Sequence, residues 1–318
     1  MQDYAILIQE LFRGRNVISS SEIKSMMPGI PEQTVFSRVR EMERSGLIYR
    51  QGRGLYARGT KMEYKVDFTS KVKEINALLI QHFEGVNHCI STNKDNILVE
   101  TERKYTDTVL VFLKRYDPNV YSFKEALRLL PLLQSVIIVK PLITDAPIFD
   151  EEGFFAPSLE KLLVDMVADK PYYEMTDENI QKEFQRSFEV YPVLKDRLLR
   201  YAGRRGVREE VEAILDHINP YRIQTITTLQ TILRSQPVLQ AWLFGSWSRQ
   251  EERQGSDIDL LVHFDPTARV SLMDHATFQL ELQGGVGHPI DLVTDGTLLP
   301  FVKRNVDKEK YLIYERRS

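Results

Sequence analysis

The stretch that most restricts how this chain folds is Ala241-Trp-Leu-Phe-Gly-Ser-Trp-Ser-Arg-Gln-Glu-Glu-Arg-Gln-Gly-Ser-Asp-Ile-Asp-Leu-Leu-Val262. It reads as strand, glycine turn, short helix and second strand. The first apolar run ends at Gly245-Ser246, where a residue without Cβ lets the backbone approach a ligand and the following N–H groups open a helix, a place suited to phosphate. The second run carries Asp257 and Asp259. Residues two apart on a strand project from one face, so both carboxylates point one way while Ile258 and Leu260 point into the core. Like charges side by side are costly unless a proton or a cation neutralises them. Hard oxygen donors suit magnesium, which takes one or two carboxylates plus substrate phosphates. Asp291, between Ile290 and Leu292 in His288-Pro-Ile-Asp-Leu-Val293, supplies a third acid on a short predicted strand. Three carboxylates on neighbouring strands make a site for two magnesium ions, one activating an attacking hydroxyl and one clamping pyrophosphate, so the expected chemistry is nucleotidyl transfer.

In combination, Gly245-Ser246, Arg249, Ser256-Asp257-Ile-Asp259 and Asp291 resemble the minimal nucleotidyltransferase branch of the polymerase-β-type nucleotidyltransferase superfamily. The resemblance implies that Asp257, Asp259 and Asp291 are the catalytic and metal-binding acids and that Gly245, Ser246, Arg249 and Ser256 bind the nucleotide. It implies two Mg2+ and an NTP substrate, expected to be ATP. It also implies a toxin–antitoxin or phage-defence setting in which such domains modify a partner toxin. The chain departs from the family pattern at Trp247, where members often carry Arg, and at Gln250, where they often carry Gly.

A chain of 318 residues with 42% hydrophobic content has room for two or three domains. Its net charge of −3 argues against binding nucleic acid over the whole surface. Distribution is more telling, because residues 1–61 carry +4, residues 62–238 carry −4 and residues 239–318 carry −3. The single cysteine, Cys89, excludes an intrachain disulfide framework and reads as a packed core residue. Met1-Gln-Asp-Tyr is no basic leader, and no apolar run approaches the ~18 residues that span a bilayer. A cytoplasmic protein without a membrane partner is the expectation.

Residues 1–61 are expected to form a winged helix-turn-helix. Ile8, Leu11 and Phe12 share a face of a first helix ending near Gly14, and Ser19-Ser-Ser-Glu22 is a capping box opening a second that runs to Met27. Pro31 sits at the first position of a third helix, whose Val35, Val39 and Met42 face inward and whose other side shows Gln33, Ser37, Arg38, Arg40 and Arg44, with Gly46 as the stop. Residues 47–51 and 55–57 flank a Gly52-Arg53-Gly54 turn, a hairpin with Arg53 at its tip. In such a module the third helix enters the major groove and the wing touches phosphate, which makes Gln33, Ser37, Arg38, Arg40 and Arg53 the expected DNA contacts. One copy binds weakly, so DNA binding requires a homodimer or a second contact. The alternative is a module used for protein contacts, its arginines a solvated face.

The expected domains are 1–61, an α/β segment at 62–175, a helical connector at 176–217 and the nucleotidyltransferase at 218–318. In the middle segment the patterns predict a helix over 71–83, strands over 96–100, 109–113 and 135–140, and helices over 122–130 and 158–168. The last begins at Ser158 and buries Leu159, Leu162, Leu163 and Met166, with Glu160 and Asp165 read as a solvated face, the alternative being part of a site. Helices are predicted over 184–201, 207–217, 221–233 and 297–304. A winged helix followed by this segment, with Pro157-Ser-Leu-Glu-Lys-Leu-Leu-Val-Asp165, resembles the AbiEi antitoxin family of abortive-infection systems. The 6 histidines are dispersed, and Arg208 and His217 are too far apart for the HEPN ribonuclease motif.

The fold class expected is therefore α+β and multidomain, with a mixed sheet in the polymerase-β-like C-terminal domain. The expected function is transfer of NMP from an NTP to a protein or RNA hydroxyl, the acceptor being a partner toxin or tRNA, fused to a DNA-binding regulator. Two rivals stand beside it: an autoregulator whose C-terminal domain only senses nucleotide or docks a partner, and a toxin that modifies tRNA. Retention of all three acids favours the enzyme, and the acidic balance of 239–318 argues against tRNA.

Overall fold

The computed structural model describes residues 2–13, 17–129, 135–151, 153–253 and 255–316; Gly14 and Leu130, where two helices were expected to end, lie outside them. The chain divides into two compact units. One comprises Met1–Glu63, Gln185–Pro192 and Asn219–Ser318, the other Tyr64–Phe184 and Val193–Ile218.

The N-terminal part holds α1 (Gln2–Leu11), β1 (Val17–Ser19), α2 (Ser20–Ser25), α3 (Glu32–Arg44), β2 (Ile48–Gly52) and β3 (Leu55–Arg58). Ser19 caps α2 and Glu22 returns the bond to the Ser19 N–H at 2.7 Å, the reciprocal pair expected. Pro31 is the residue before the helix rather than its first, since its ψ of 142° is extended. The hairpin forms as β2 and β3, and an unanticipated third strand, β1, pairs with β3 from Val17↔Ala57 to Ser19↔Leu55. Three residues are too few to display a period of two. Ile8, Leu11, Ile23, Val35, Val39 and Met42 close the core.

The second unit contains α4 (Ser70–His82), β4 (His88–Asn93), β5 (Asn96–Thr101), α5 (Thr106–Leu113), β6 (Val120–Ser122), α6 (Phe123–Leu129), β7 (Ile137–Pro141), β8 (Ile148–Glu151), β9 (Phe154–Pro157), α7 (Leu159–Ala168), α8 (Lys170–Tyr173), the start of α9 (Asp177–Val190), α10 (Lys195–Arg205) and α11 (Arg208–Asp216). Its main sheet has the order β4-β5-β7-β6, with β7 parallel to both β5 and β6. The expected strand over 109–113 is instead the helix α5. Parallel strands need a crossover, and this run supplies it, burying Val109 and Leu113 four apart while Val111 is 55% exposed. The continuous helix expected over 184–201 is broken into α9 and α10 around Pro192, which lacks an N–H and bars the helical turn before it.

A larger correction concerns α7. Ser158 caps it as expected, but Glu160 and Asp165 are buried rather than solvated. Lys161, itself buried, pairs with Glu100 of β5 and, at 2.6 Å, with Asp165. Tyr201 donates to Asp165 at 2.9 Å, and Arg205 lies 3.2 Å from it. Lys140 and Arg205 both reach Asp169, at 2.7 and 2.6 Å. Glu100, Asp165 and Asp169 tolerate burial because each meets a cation, while Glu160 accepts from the Ser158 hydroxyl at 2.6 Å and the Leu194 N–H at 3.0 Å. Cys89 is buried nearby, its thiol pushed up by desolvation.

The remainder of the first unit is α12 (Pro220–Ser235), β10 (Val238–Phe244), α13 (Gly245–Arg249), β11 (Ile258–Phe264), α14 (Leu272–Val286), β12 (Ile290–Thr294), α15 (Pro300–Glu309) and β13 (Tyr311–Glu315). The sheet runs β12-β11-β10-β13, with β11 and β12 parallel and the other pairs antiparallel, so it is mixed. Ile226, Leu229, Leu233, Leu243, Leu260, Phe278 and Leu292 belong to its core. Arg234 of α12 donates to the Arg44 carbonyl at 2.7 Å and the Thr60 hydroxyl at 3.1 Å, and a Cβ on Gly46 would meet its guanidinium at 2.5 Å. Among the described residues no helix is long and apolar enough to cross a membrane.

Candidate active site

Strand β10 ends at Phe244, and Gly245 turns the chain with φ of +66°, a conformation that favours a residue without Cβ. The turn lies against an acid, since a Cβ at Gly245 would fall 2.1 Å from Asp259 Oδ2. Ser246 follows in the first turn of α13, half-buried, and its carbonyl accepts the Glu251 N–H at 3.0 Å. Gln250 ends α13 with φ of +59°, a left-handed conformation that glycine adopts without strain. Ser256 lies in the turn before β11, where its hydroxyl accepts the Arg253 N–H at 2.9 Å.

Asp259 and Asp291 are directly paired in the parallel register of β11 and β12, and Ile258, Leu260, Ile290 and Leu292 fill the opposite, buried side. Asp257 precedes β11 by one residue, so all three acids belong to one face of the sheet. Asp257 and Asp291 are exposed and Asp259 is half-buried. Burial, then the charges of Asp257, Asp291 and Glu309, push Asp259 up to about 6, against the opposing pull of Arg249. Oxygen donors under mutual repulsion suit a hard divalent cation. Among the described residues no three acids are gathered into a ligand cage, so the structure presents donors along a common face rather than a closed site.

The residues of the Gly245 turn and α13 hold partners the sequence does not reveal. Glu309, at the end of α15, accepts the Gly245 N–H at 3.1 Å and pairs with Arg249, whose other edge meets Glu251 at 2.8 Å. Trp247 is buried beneath Arg222, whose guanidinium lies 4.9 Å from the indole centre and donates to the Trp247 carbonyl at 3.0 Å. Arg222 in turn pairs with buried Glu189 at 2.5 Å and with Glu252 at 2.6 Å, and Tyr311 donates to Glu189 at 2.7 Å. Arg186 donates to the Ser248 carbonyl at 3.1 Å. Two arginines therefore satisfy carbonyls that a helix as short as α13 leaves open. Glu309 carries no sequence signal, being one charge among others in Lys308-Glu309-Lys310, and Glu189 and Arg222 lie far apart in the chain.

In the N-terminal part of this unit, Gln33, Ser37, Arg40 and Arg44 are exposed on α3, Arg38 is half-buried, and Arg53 is exposed at the hairpin turn. These residues are separate from the acid face in sequence and element.

Comparison with known proteins agrees with this division. A model described as polymerase beta, nucleotidyltransferase matches residues 227–318, and one described as transcriptional regulator, AbiEi antitoxin matches residues 7–59. A relative from Methanocaldococcus jannaschii that carries the name of a protein adenylyltransferase is 35% identical over 78 residues, 24% of this chain and 82% of that protein. A solved structure of a minimal nucleotidyltransferase is 32% identical, covers 30% of this chain and 96% of that one, and superposes with a TM-score of 0.24. A crystal structure of a toxin–antitoxin with AMP-PNP is 18% identical, covers 29% and 74%, and has a TM-score of 0.26. A third model, described as a family of unknown function (DUF6577), matches residues 34–221. The chain therefore belongs to the DUF6577 family of unknown function and combines an AbiEi antitoxin-like N-terminal segment with a C-terminal nucleotidyltransferase domain of the polymerase-β type.

Proposed function

We propose that the C-terminal domain transfers a nucleoside monophosphate, with ATP as donor, to a hydroxyl of a partner protein. The in-register pairing of Asp259 with Asp291 beside the Gly245 turn is the observation that carries this reading. The name of the M. jannaschii relative supports an adenylyl group and a protein acceptor. Asp257 and Asp259 would hold magnesium, with Asp291 completing the donor set; bound there, magnesium would offset the triphosphate charge and stabilise the departing pyrophosphate. Asp291, exposed on the edge strand β12, would take the acceptor's proton. The acceptor oxygen forms a bond to the α-phosphorus, the bond from that phosphorus to the bridging oxygen breaks, and pyrophosphate leaves. Gly245, Ser246, Arg249 and Ser256 would orient the phosphates.

The AbiEi antitoxin match over 7–59 supports a regulator at the N-terminus. In this reading residues 1–61 form a winged helix-turn-helix that contacts DNA through Gln33, Ser37, Arg38, Arg40 and Arg53, as a dimer, and the acceptor is a toxin encoded beside it. The test incubates the purified protein, magnesium and each α-labelled NTP with a lysate of its host, alongside an Asp257→Ala/Asp259→Ala variant. Label from ATP should appear on a protease-sensitive product with the wild type alone. If wild type transfers nothing while both proteins bind nucleotide or promoter DNA, the domain is a sensor within an autoregulator; an RNase-sensitive product makes RNA the acceptor.

A further inference from the structure

Two of the donors assigned to the nucleotide are already engaged by an acid of the chain itself. One oxygen of Glu309 accepts the Gly245 N–H at 3.1 Å and the other meets the Arg249 guanidinium. A carboxylate with one oxygen on a backbone N–H and one on a guanidinium uses the same kind of acceptors that a phosphate offers. Glu309 is the last residue of α15, and the carbonyl end of a helix disfavours an anion. Asp259 lies close enough for the two charges to repel. Glu251 already neutralises part of Arg249 from its other edge, at 2.8 Å. The Glu309 side chain retains 26% of its exposure, so it has open solvent to move into.

We infer that Glu309 is the resident anion of the phosphate subsite: it holds Gly245 and Arg249 in their ligand-ready arrangement and is displaced when a phosphate of the nucleotide takes over those donors. The inference rests on the nucleotidyl-transfer reading of the same site. Glu309 is a positioning residue in this scheme, acting through Arg249 and Gly245. Because the chain's own carboxylate competes for these donors, apparent affinity for a polyphosphate is reduced by the fraction of molecules in the displaced state.

The experiment measures binding of inorganic triphosphate with magnesium to the full-length protein, and KM and kcat for ATP, in wild type, Glu309→Gln, Glu309→Asp and Arg249→Gln, with thermal melts to establish folding. Glu309→Gln, which keeps the shape and removes the charge, should bind triphosphate about tenfold tighter and lower KM more than it changes kcat. Glu309→Asp should stay close to wild type, and adding Glu309→Gln to Arg249→Gln should change binding little. Unchanged or weaker binding by Glu309→Gln, with wild type active, overturns the inference and leaves the transferase intact. If neither folded protein binds triphosphate or ATP, the nucleotide site itself is wrong and the inference falls with it.

Discussion

Asp259 is where the chemistry of the site concentrates, because its carboxylate is pressed against the Gly245 turn and faces three other acids. Its pKa of about 6 lies above the ordinary carboxylate value, so the folded chain keeps a proton that the unfolded chain releases. Stability is consequently lost as the pH rises from about 4 to about 6, and the loss persists above that. Asp259→Asn, free of nucleotide and divalent ions, should therefore be more stable than wild type at pH 7.5 by about 1 kcal/mol after solvent screening of a half-exposed group, and melt correspondingly higher. Below about pH 4 the two should melt together. A stabilisation of equal size at both pH values would mean that charge is not its origin.

At the scale of elements, α13 is held in place by side chains rather than by its own length. Its carbonyls at Trp247 and Ser248 receive Arg222 and Arg186, and Arg222 is itself neutralised by Glu189 and Glu252. Removing the cation leaves Glu189 buried without a guanidinium, which costs about 3–5 kcal/mol. Arg222→Met should lower the denaturant midpoint accordingly; a loss below about 1 kcal/mol would show that solvent reaches Glu189 freely. Local pattern announces some elements well. The capping box at Ser19, the cap at Ser158 and the strand–turn–helix–strand from Val238 to Phe264 all follow from short-range rules. It fails at α5, where an apolar run becomes a helix because two parallel strands need a crossover, and at α7, where charged residues face inward toward Glu100 and Arg205.

For the whole molecule, the N-terminal helices and hairpin share a compact unit with the nucleotidyltransferase domain, although most of the DUF6577 match lies between them in sequence. Arg234 reaches the Arg44 carbonyl and Thr60, and buried Lys61, pulled down to about 7 by desolvation against the opposing influence of Glu189, donates to the Glu189 carbonyl. Deleting residues 1–61 should therefore lower the melting temperature of the nucleotidyltransferase unit by about 5 °C. A module merely tethered by a linker would leave that transition where it was.

By itself the sequence determined the acid-bearing strands, the glycine turn between them, the basic N-terminal segment and the class of chemistry, because each depends on residues a few positions apart and on the periods of helix and strand. Tertiary structure alone decided that Lys161 and Arg205 neutralise Asp165, that Arg222 and Glu189 brace Trp247, and that Glu309 bridges the Gly245 N–H and Arg249. Those outcomes depend on which distant charges meet where water is excluded, and in that setting a partner decides whether a charge is tolerated.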